Sequence, residues 1–386
     1  GIGLLTTASN SVIGGSDEDD VISFNNVVAN GNEGNGLEII SAGSFVNNKN
    51  NVLVENSEFK LNEEDGLYLV TEGGIENPII ANSVFLENRM DTAGIFITAG
   101  EDVTGSSGIN EIRGNTVAGN VQGIVIGVPV NGNIGAIRNI SLTNNTTEHP
   151  DDDDKNGNSE VNMALAANRI ESVDVKNNRF IGPYKVDTDD EPGVGLQLAA
   201  DVSSSDILVE QNLFDSEASG YCIGDGTAIE LDALDTDVLR NEFRGVSTAI
   251  QVWQESSNVS EAENTSNHIN RNNILGCCVT IDAQNLDYED GQKVDATDNF
   301  WGKDQTIETI SNPNNMLADT ADPLDQIFVE PLRDEPVDVV DGELEIDISI
   351  TPTEPGTKEP VELSVELDNT SGSSIELSEI LLTLTD

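Results

Sequence analysis

Basic residues are scarce in this 386-residue chain: 17 Lys and Arg stand against 71 Asp and Glu, for a formal net charge of −54. No basic stripe exists to neutralise phosphates, which excludes nucleic acid as a partner and argues equally against anionic membrane surfaces. Histidine is limited to His149 and His268, so a multi-His metal centre is excluded and a His-based triad is poorly supported. Three methionines and three cysteines, spread along the chain with the two histidines, give little basis for copper. Aromatic residues make up only 4%. No apolar run reaches the roughly 18 residues of a spanning helix, so no direct membrane insertion is expected.

What is present is a motif that returns about every 30 residues. It reads VISFNNVVANGNEGNGLEI from Val21, VLVENSEFKLNEEDGLYLV from Val52, IIANSVFLENRMDTAGIFI from Ile79 and NEIRGNTVAGNVQGIVI from Asn110. Weaker copies start at Val173, Ile207, Asp237 and His268. Within a copy, apolar and polar residues alternate, which is strand periodicity rather than helical spacing. Two or three short strands per copy, separated by Asn or Gly corners, make one turn of a coil. Stacking the turns pairs their backbones in parallel and buries one aliphatic column. A small residue precedes the aliphatic pair at Gly36, Gly66, Gly94, Gly123, Ala164, Gly195, Ala228, Ala249 and Cys278.

Asparagine has two reasons to recur at a corner: it tolerates a left-handed backbone, and its amide can bond the same amide one turn away. The expected ladder is Asn25, Asn115, Asn145, Asn178, Asn212, Asn241 and Asn272, with Ser57 and Ser83 in the matching slots of two turns. These residues resemble the right-handed parallel β-helix repeat proteins, a group that includes carbohydrate-binding and sugar-cleaving members. The segment VDATDNFWG (294–302) is similar to the signature that closes such helices, and Asp322-Pro323 with VEPL (329–332) resembles the tail that follows it. The resemblance covers roughly residues 1–332 and implies the fold far more firmly than any activity.

The expected fold is therefore all-β: a right-handed parallel β-helix of roughly nine turns over residues 1–302, then a cap and linker at 303–340. Residues 341–386 change to strictly alternating segments with turns between them, which reads as an incomplete antiparallel sandwich resembling an immunoglobulin-like module. The opening GIGLL reads as the middle of a strand, so a processed piece of a longer protein is expected. Repeat slots place Cys222 about two turns from Cys277 and Cys278, beyond disulfide reach, which leaves buried free thiols as the reading.

For a folded chain, so large an acidic excess fits adaptation to molar salt, where carboxylates hold water and screening removes their repulsion. A haloarchaeal origin follows as the expectation. Acceptor sequons stand at Asn139, Asn144, Asn145, Asn258, Asn264 and Asn369, and suit an extracellular surface.

Among candidate sites, the acidic run holding Asp152, Asp154, Asn156, Asn158 and Glu160 places alternate oxygens around Gly157, as calcium loops do. Met163 stands where the closing carboxylate belongs, and the alternative is a solvated loop. Asp187, Asp189, Asp190 and Glu191 form a second acidic run that would share a cation with the first. Asp225, Glu230, Asp232 and Asp235 offer carboxylates of the kind that polysaccharide hydrolysis uses. Lyase chemistry lacks its basic cluster. Trp253 reads as a sugar platform or as packing under a loop; Trp301 is expected to cover the end of the column.

Two functions are carried forward. The first is a non-catalytic structural or binding protein on the surface of a halophilic archaeon or its virus, contacting glycans or neighbouring subunits. It would assemble through rod ends or by strand addition at the sandwich, as a subunit of a filament or other surface assembly. The alternative is a carbohydrate-active enzyme with carboxylates in a groove of the helix. Ca2+ is the one cofactor considered.

Overall fold

The structure, a computed structural model, describes residues 2–6, 22–41, 52–88, 93–105, 111–128, 135–148, 161–182, 193–216, 226–233, 235–252, 267–275, 279–282, 294–302, 317–318, 327–333, 335–337, 344–351 and 362–369. They divide into two compact units, Gly1–Val339 and Val340–Asp386. The described residues are all-β, without a helix, and the first unit is a parallel β-helix.

Three strand faces wrap one core. On the first, Leu37–Ser41, Leu67–Thr71, Ala93–Ala99, Gln122–Gly127, Thr227–Asp232 and Thr248–Val252 stack in parallel with the opening halves of Val161–Lys176 and Val194–Glu210. These two long strands bend round a corner into the second face. There they stack with Val52–Glu55, Pro78–Ala81, Ser141–Thr143, Thr236–Leu239 and His268–Asn270. A nine-stranded sheet running from Val28–Asn30 to Asn273–Leu275 makes the third. Because side chains alternate, each face sends every second residue inward.

Strict register turns those inward residues into columns. On the first face Leu37, Leu67, Ile95, Ile124, Met163, Leu196, Ile229 and Ile250 lie one above another, all fully buried. On the third face the column contains Phe59 stacked on Phe85, with ring centroids 5.0 Å apart. Phe180, Phe214 and Phe243 follow at 4.5 and 5.0 Å. Outward columns run beside them. On the first face they are Glu38, Tyr68, Phe96, Val125, Ala164, Gln197 and Glu230, and Ile40, Val70, Thr98, Gly127, Ala166, Ala199 and Asp232.

The small-residue slot is enforced by backbone contact. A Cβ at Gly36 would lie 2.6 Å from the Gly66 carbonyl oxygen, and one at Gly66 equally close to that of Gly94. Gly94 and Gly123 continue the line. The next occupant is Asn162, not the expected Ala164, because Gly123 faces the Asn162 carbonyl while Ala164 pairs with Val125 on the outward side. Asn162 breaks the small-residue rule, which is why sequence spacing slipped by two there.

The ladder is a continuous chain of bonds at the corner between the second and third faces. The backbone N–H of Asn115 donates to Asn145 Oδ1, and the same relation links Asn145 to Asn178, Asn178 to Asn212, Asn212 to Asn241 and Asn241 to Asn272, at 2.8 to 3.1 Å. Asn299 extends it beyond Asn272. Ser57 and Ser83 fill two slots with hydroxyls. Asn25 lies outside the ladder: Val27 holds that slot, donating its N–H to Ser57 Oγ, while Asn25 is exposed two residues earlier. The two tasks of a corner asparagine also fall on adjacent residues. The left-handed backbone belongs to Asn56, Asn82, Asn144, Asn177, Gln211, Arg240 and Arg271, each immediately before its ladder residue. A second ladder, absent from the sequence reading, joins Asn32, Asn62, Asn88 and Asn120 at the far end of the third face.

Parallel pairing continues beyond residue 302. Leu317–Ala318 pairs with Val279–Asp282, and Ile327–Phe328 with Val294–Asp295, so part of the segment expected as cap and linker adds to the solenoid. Ile327 and Val329 are buried in the core, inward aliphatics hidden in an Asp- and Pro-rich stretch. Trp301 is buried in the same core. In the second unit Leu344–Thr351 and Glu362–Asn369 pair antiparallel. The third alternating segment of the expected sandwich lies outside the described residues.

Candidate functional site

The second face carries a cleft of about 420 Å3, built where four rungs meet. Its outward residues come from two neighbouring columns. One runs Asp237, His268, Asp295 and the other Glu210, Leu239, Asn270, with Thr297 beyond. Arg240, Arg271 and Asp298, all in the left-handed conformation at the corner, close one side.

Polar groups in the cleft are held by one another. His268 Nδ1 lies 2.9 Å from Asp237 Oδ1 on the rung before it. Asn270 donates its amide to the Thr297 carbonyl at 2.9 Å and hydroxyl at 3.0 Å, and to Asp295 Oδ1 at 3.3 Å. Asp295 Oδ1 also accepts from the Thr297 N–H at 3.1 Å. Arg271 and Arg333 both bond the Asp298 carboxylate, at 3.3 and 3.2 Å. Arg240 stands 3.9 Å from Glu210. The His268 and Asp237 side chains are 45% and 49% exposed, which leaves the pair open to a ligand and lets solvent weaken its mutual attraction.

Chemically, the cleft offers carboxylate acceptors beside guanidinium, imidazole and amide donors, on strands whose ends are pinned by ladder bonds. Vicinal hydroxyls, each both donor and acceptor, match such a mixture. Among the described residues no group of three or more His, Cys, Asp or Glu is placed to hold a metal ion.

The acidic run with Asp152, Asp154, Asn156, Asn158 and Glu160 lies outside the described residues, as do Asp187 to Glu191, Asp225, Trp253, Asn258, Asn264 and all three cysteines. Glu230 and Asp232 are outward neighbours on the first face, and Asp235 sits at the following corner, where its carboxylate accepts from the Asp206 N–H at 3.3 Å. They are strung along the chain and are not gathered into the cleft.

Of the sequons, Asn139 and Asn144 are exposed at corners. Asn369 ends the second strand of the hairpin. Asn145 cannot serve as an acceptor in the folded chain. Its amide nitrogen is buried and donates to Ile112 O and Asn178 Oδ1, at 2.9 and 3.0 Å, and its sequon threonine, Thr147, is buried. The pair Asn144/Asn145 lies at a strand corner, so one of its two residues points inward.

The cleft was missed because acidic residues carry little information in so acidic a chain. Register was the available signal: aligning HINRNN beneath DVLRNE stacks His268 on Asp237, and VDAT beneath it adds Asp295.

Comparison of the chain with protein families, curated proteins and solved structures finds no match.

Proposed function

We propose that this chain is a non-catalytic structural and glycan-binding protein of the surface of a halophilic archaeon or its virus, its β-helix serving as a stiff display scaffold. The observation that carries the reading is the cleft at Asp237, His268, Asn270 and Asp295, whose mixed donors and acceptors stand on rungs locked by the asparagine ladder. A preformed frame lowers the ordering cost of binding, so a weakly attractive polyhydroxyl ligand is retained. The acidic excess supports the saline setting. The sequon at Asn144 supports a secreted one.

Calorimetric titration of neutral and acidic oligosaccharides in molar KCl tests the cleft. Asp237→Asn and Asn270→Ala are expected to weaken binding about tenfold each, the scale of one charge-assisted hydrogen bond. Binding untouched by both changes would remove the cleft from the function.

A second reading, a carbohydrate-active enzyme, is favoured by the Asp237–His268 contact with Asp295 on the next rung. Two rungs at about 4.8 Å separate the aspartates by about 9.6 Å, close to the wide spacing of inverting glycosidases. Release of reducing ends in molar salt, abolished by Asp295→Asn, would select it. Calcium at Asp152–Glu160 is retained as a proposal. Loss of melting temperature on chelation, restored by Ca2+ alone, is its test.

A further inference from the structure

The solenoid distributes its charge unevenly over its faces. Outward positions on the second face include Glu55, Arg113, Asp174, Lys176, Glu210 and Asp237. The first face differs. Between Glu38 and Glu230 its outward column runs Tyr68, Phe96, Val125, Ala164 and Gln197, and the neighbouring column is uncharged from Ile40 to Ala199.

This strip is apolar and rigid. Tyr68 and Phe96 stack with centroids 5.4 Å apart and planes 8° from parallel, so each ring restricts the other and less rotamer freedom is lost on contact. Val125 packs on a small apolar cluster, Val161, Ala164 and Val194, separate from the main core. The Tyr68 hydroxyl resists ionisation because of its partial burial first, and then the nearby Asp65, Glu38 and Glu64 carboxylates.

We propose that the uncharged strip from Tyr68 to Ala199 is a lateral interface through which two copies of this chain pair face to face. Charge selects the occupant. Two molecules at −54 repel wherever carboxylates meet, and between Glu38 and Glu230 the outward positions of this strip carry none. A twofold arrangement sets strip against strip, with the stacked rings as anchors towards the Glu38 end. Glu38 and Glu230 mark its two ends as an acidic rim. At about 1 M salt the screening length falls to about 3 Å, so repulsion across that rim fades while apolar burial persists. Pairing therefore strengthens with salt, the reverse of an interface made of ion pairs. It involves the side wall rather than the rod ends, and is independent of the cleft.

Sedimentation velocity on the full chain, from about 0.5 to about 3 M KCl, tests the inference. The dimer fraction is expected to rise with salt. Ala166→Glu and Thr98→Glu, both at outward positions, are each expected to weaken dimerisation about 30-fold or more, since each would bury an unpaired carboxylate in the apolar interface, a desolvation cost that salt does not remove. Ala166 is exposed, so its variant should keep the parent's melting curve and confirm that folding is intact. Asp237→Asn, in the cleft, should leave the dimer unchanged. A monomer at every salt concentration overturns the proposal. So does a dimer indifferent to Ala166→Glu, or a monomer that binds neutral oligosaccharide through the Tyr68–Phe96 pair.

Discussion

Individual residues disclose where this chain is strained. Leu61 adopts a φ of 54° with its side chain 48% exposed, at a corner where Gly31, Gly119 and Gly245 hold the equivalent place. A left-handed leucine costs about 1–2 kcal/mol and here gains little burial in return. Leu61→Gly or Leu61→Asn is expected to raise stability by about 1 kcal/mol in chemical denaturation, with no change in the ladder beside it. Asp65 is strained electrostatically. Desolvation pushes its carboxyl up to about 6, against the bond it accepts from the Ala93 N–H and with help from Glu64. The folded chain thus keeps a proton that the unfolded chain releases near pH 4. Stability from this group falls as pH rises from about 4 to about 6 and is flat above. Asp65→Asn retains the acceptor for Ala93 without the charge, and matches Asn35 one rung below, whose Oδ1 accepts from the Asp65 N–H. The variant should gain about 1–2 kcal/mol at pH 7 and lose that part of the pH dependence, read as the difference from the parent at each pH.

Stacked elements turn these single contacts into a shared structure. Asn212 donates from its backbone to Asn241 and from its amide to Val175 O and Asn241 Oδ1, while its own Oδ1 accepts from Asn178. Asn212→Ala would strand buried groups on both neighbouring rungs. A loss of about 3 kcal/mol is expected, more than deleting an exposed corner asparagine such as Asn144. Thr147 is the converse case. It stands in the column between Val117 and Phe180, fully buried, and its hydroxyl has no partner among the described residues. Thr147→Val keeps the shape and removes the stranded hydroxyl, for an expected gain of about 1 kcal/mol in the same unfolding experiment. These columns also explain what the sequence disclosed. The aliphatic alternation at Leu67, Ile95 and Ile124, and the glycines before them, were legible because core packing and backbone contact leave few options there. The Asn32–Asn120 ladder was not separated from ordinary corner asparagines, since its partners lie a full turn away. Asn25 and Ala164 were misplaced because register is set by hydrogen bonds that a two-residue slip in the pattern conceals. The cleft was least legible: its residues differ from surface acids only in what the next rung sets beside them.

At the scale of the whole molecule, the acidic excess and the solenoid pull in opposite directions. Stacking places outward residues of consecutive rungs about 4.8 Å apart, so carboxylates on neighbouring rungs repel wherever no basic residue stands between them. With 71 acidic and 17 basic residues, ion pairs such as Arg138 with Asp102 and Glu171 neutralise only a fraction of them. The buried columns and ladders must hold against the remainder. Screening relieves it: the Debye length drops from about 10 Å at 0.1 M to about 3 Å at 1 M, below the rung spacing. The melting temperature is therefore expected to climb steeply up to about 1 M KCl and more gently beyond, where only the strengthening of apolar burial is left. NaCl should follow the same early curve, because screening depends on ionic strength rather than on the identity of the monovalent cation. Replacing surface acids in neighbouring columns of the second face, for example Glu210→Gln with Asp237→Asn, should raise the midpoint in dilute salt and leave it nearly unchanged in concentrated salt. A midpoint insensitive to salt would mean that the columns alone set the stability of the rod, and that its acidic surface serves solvation without straining the fold.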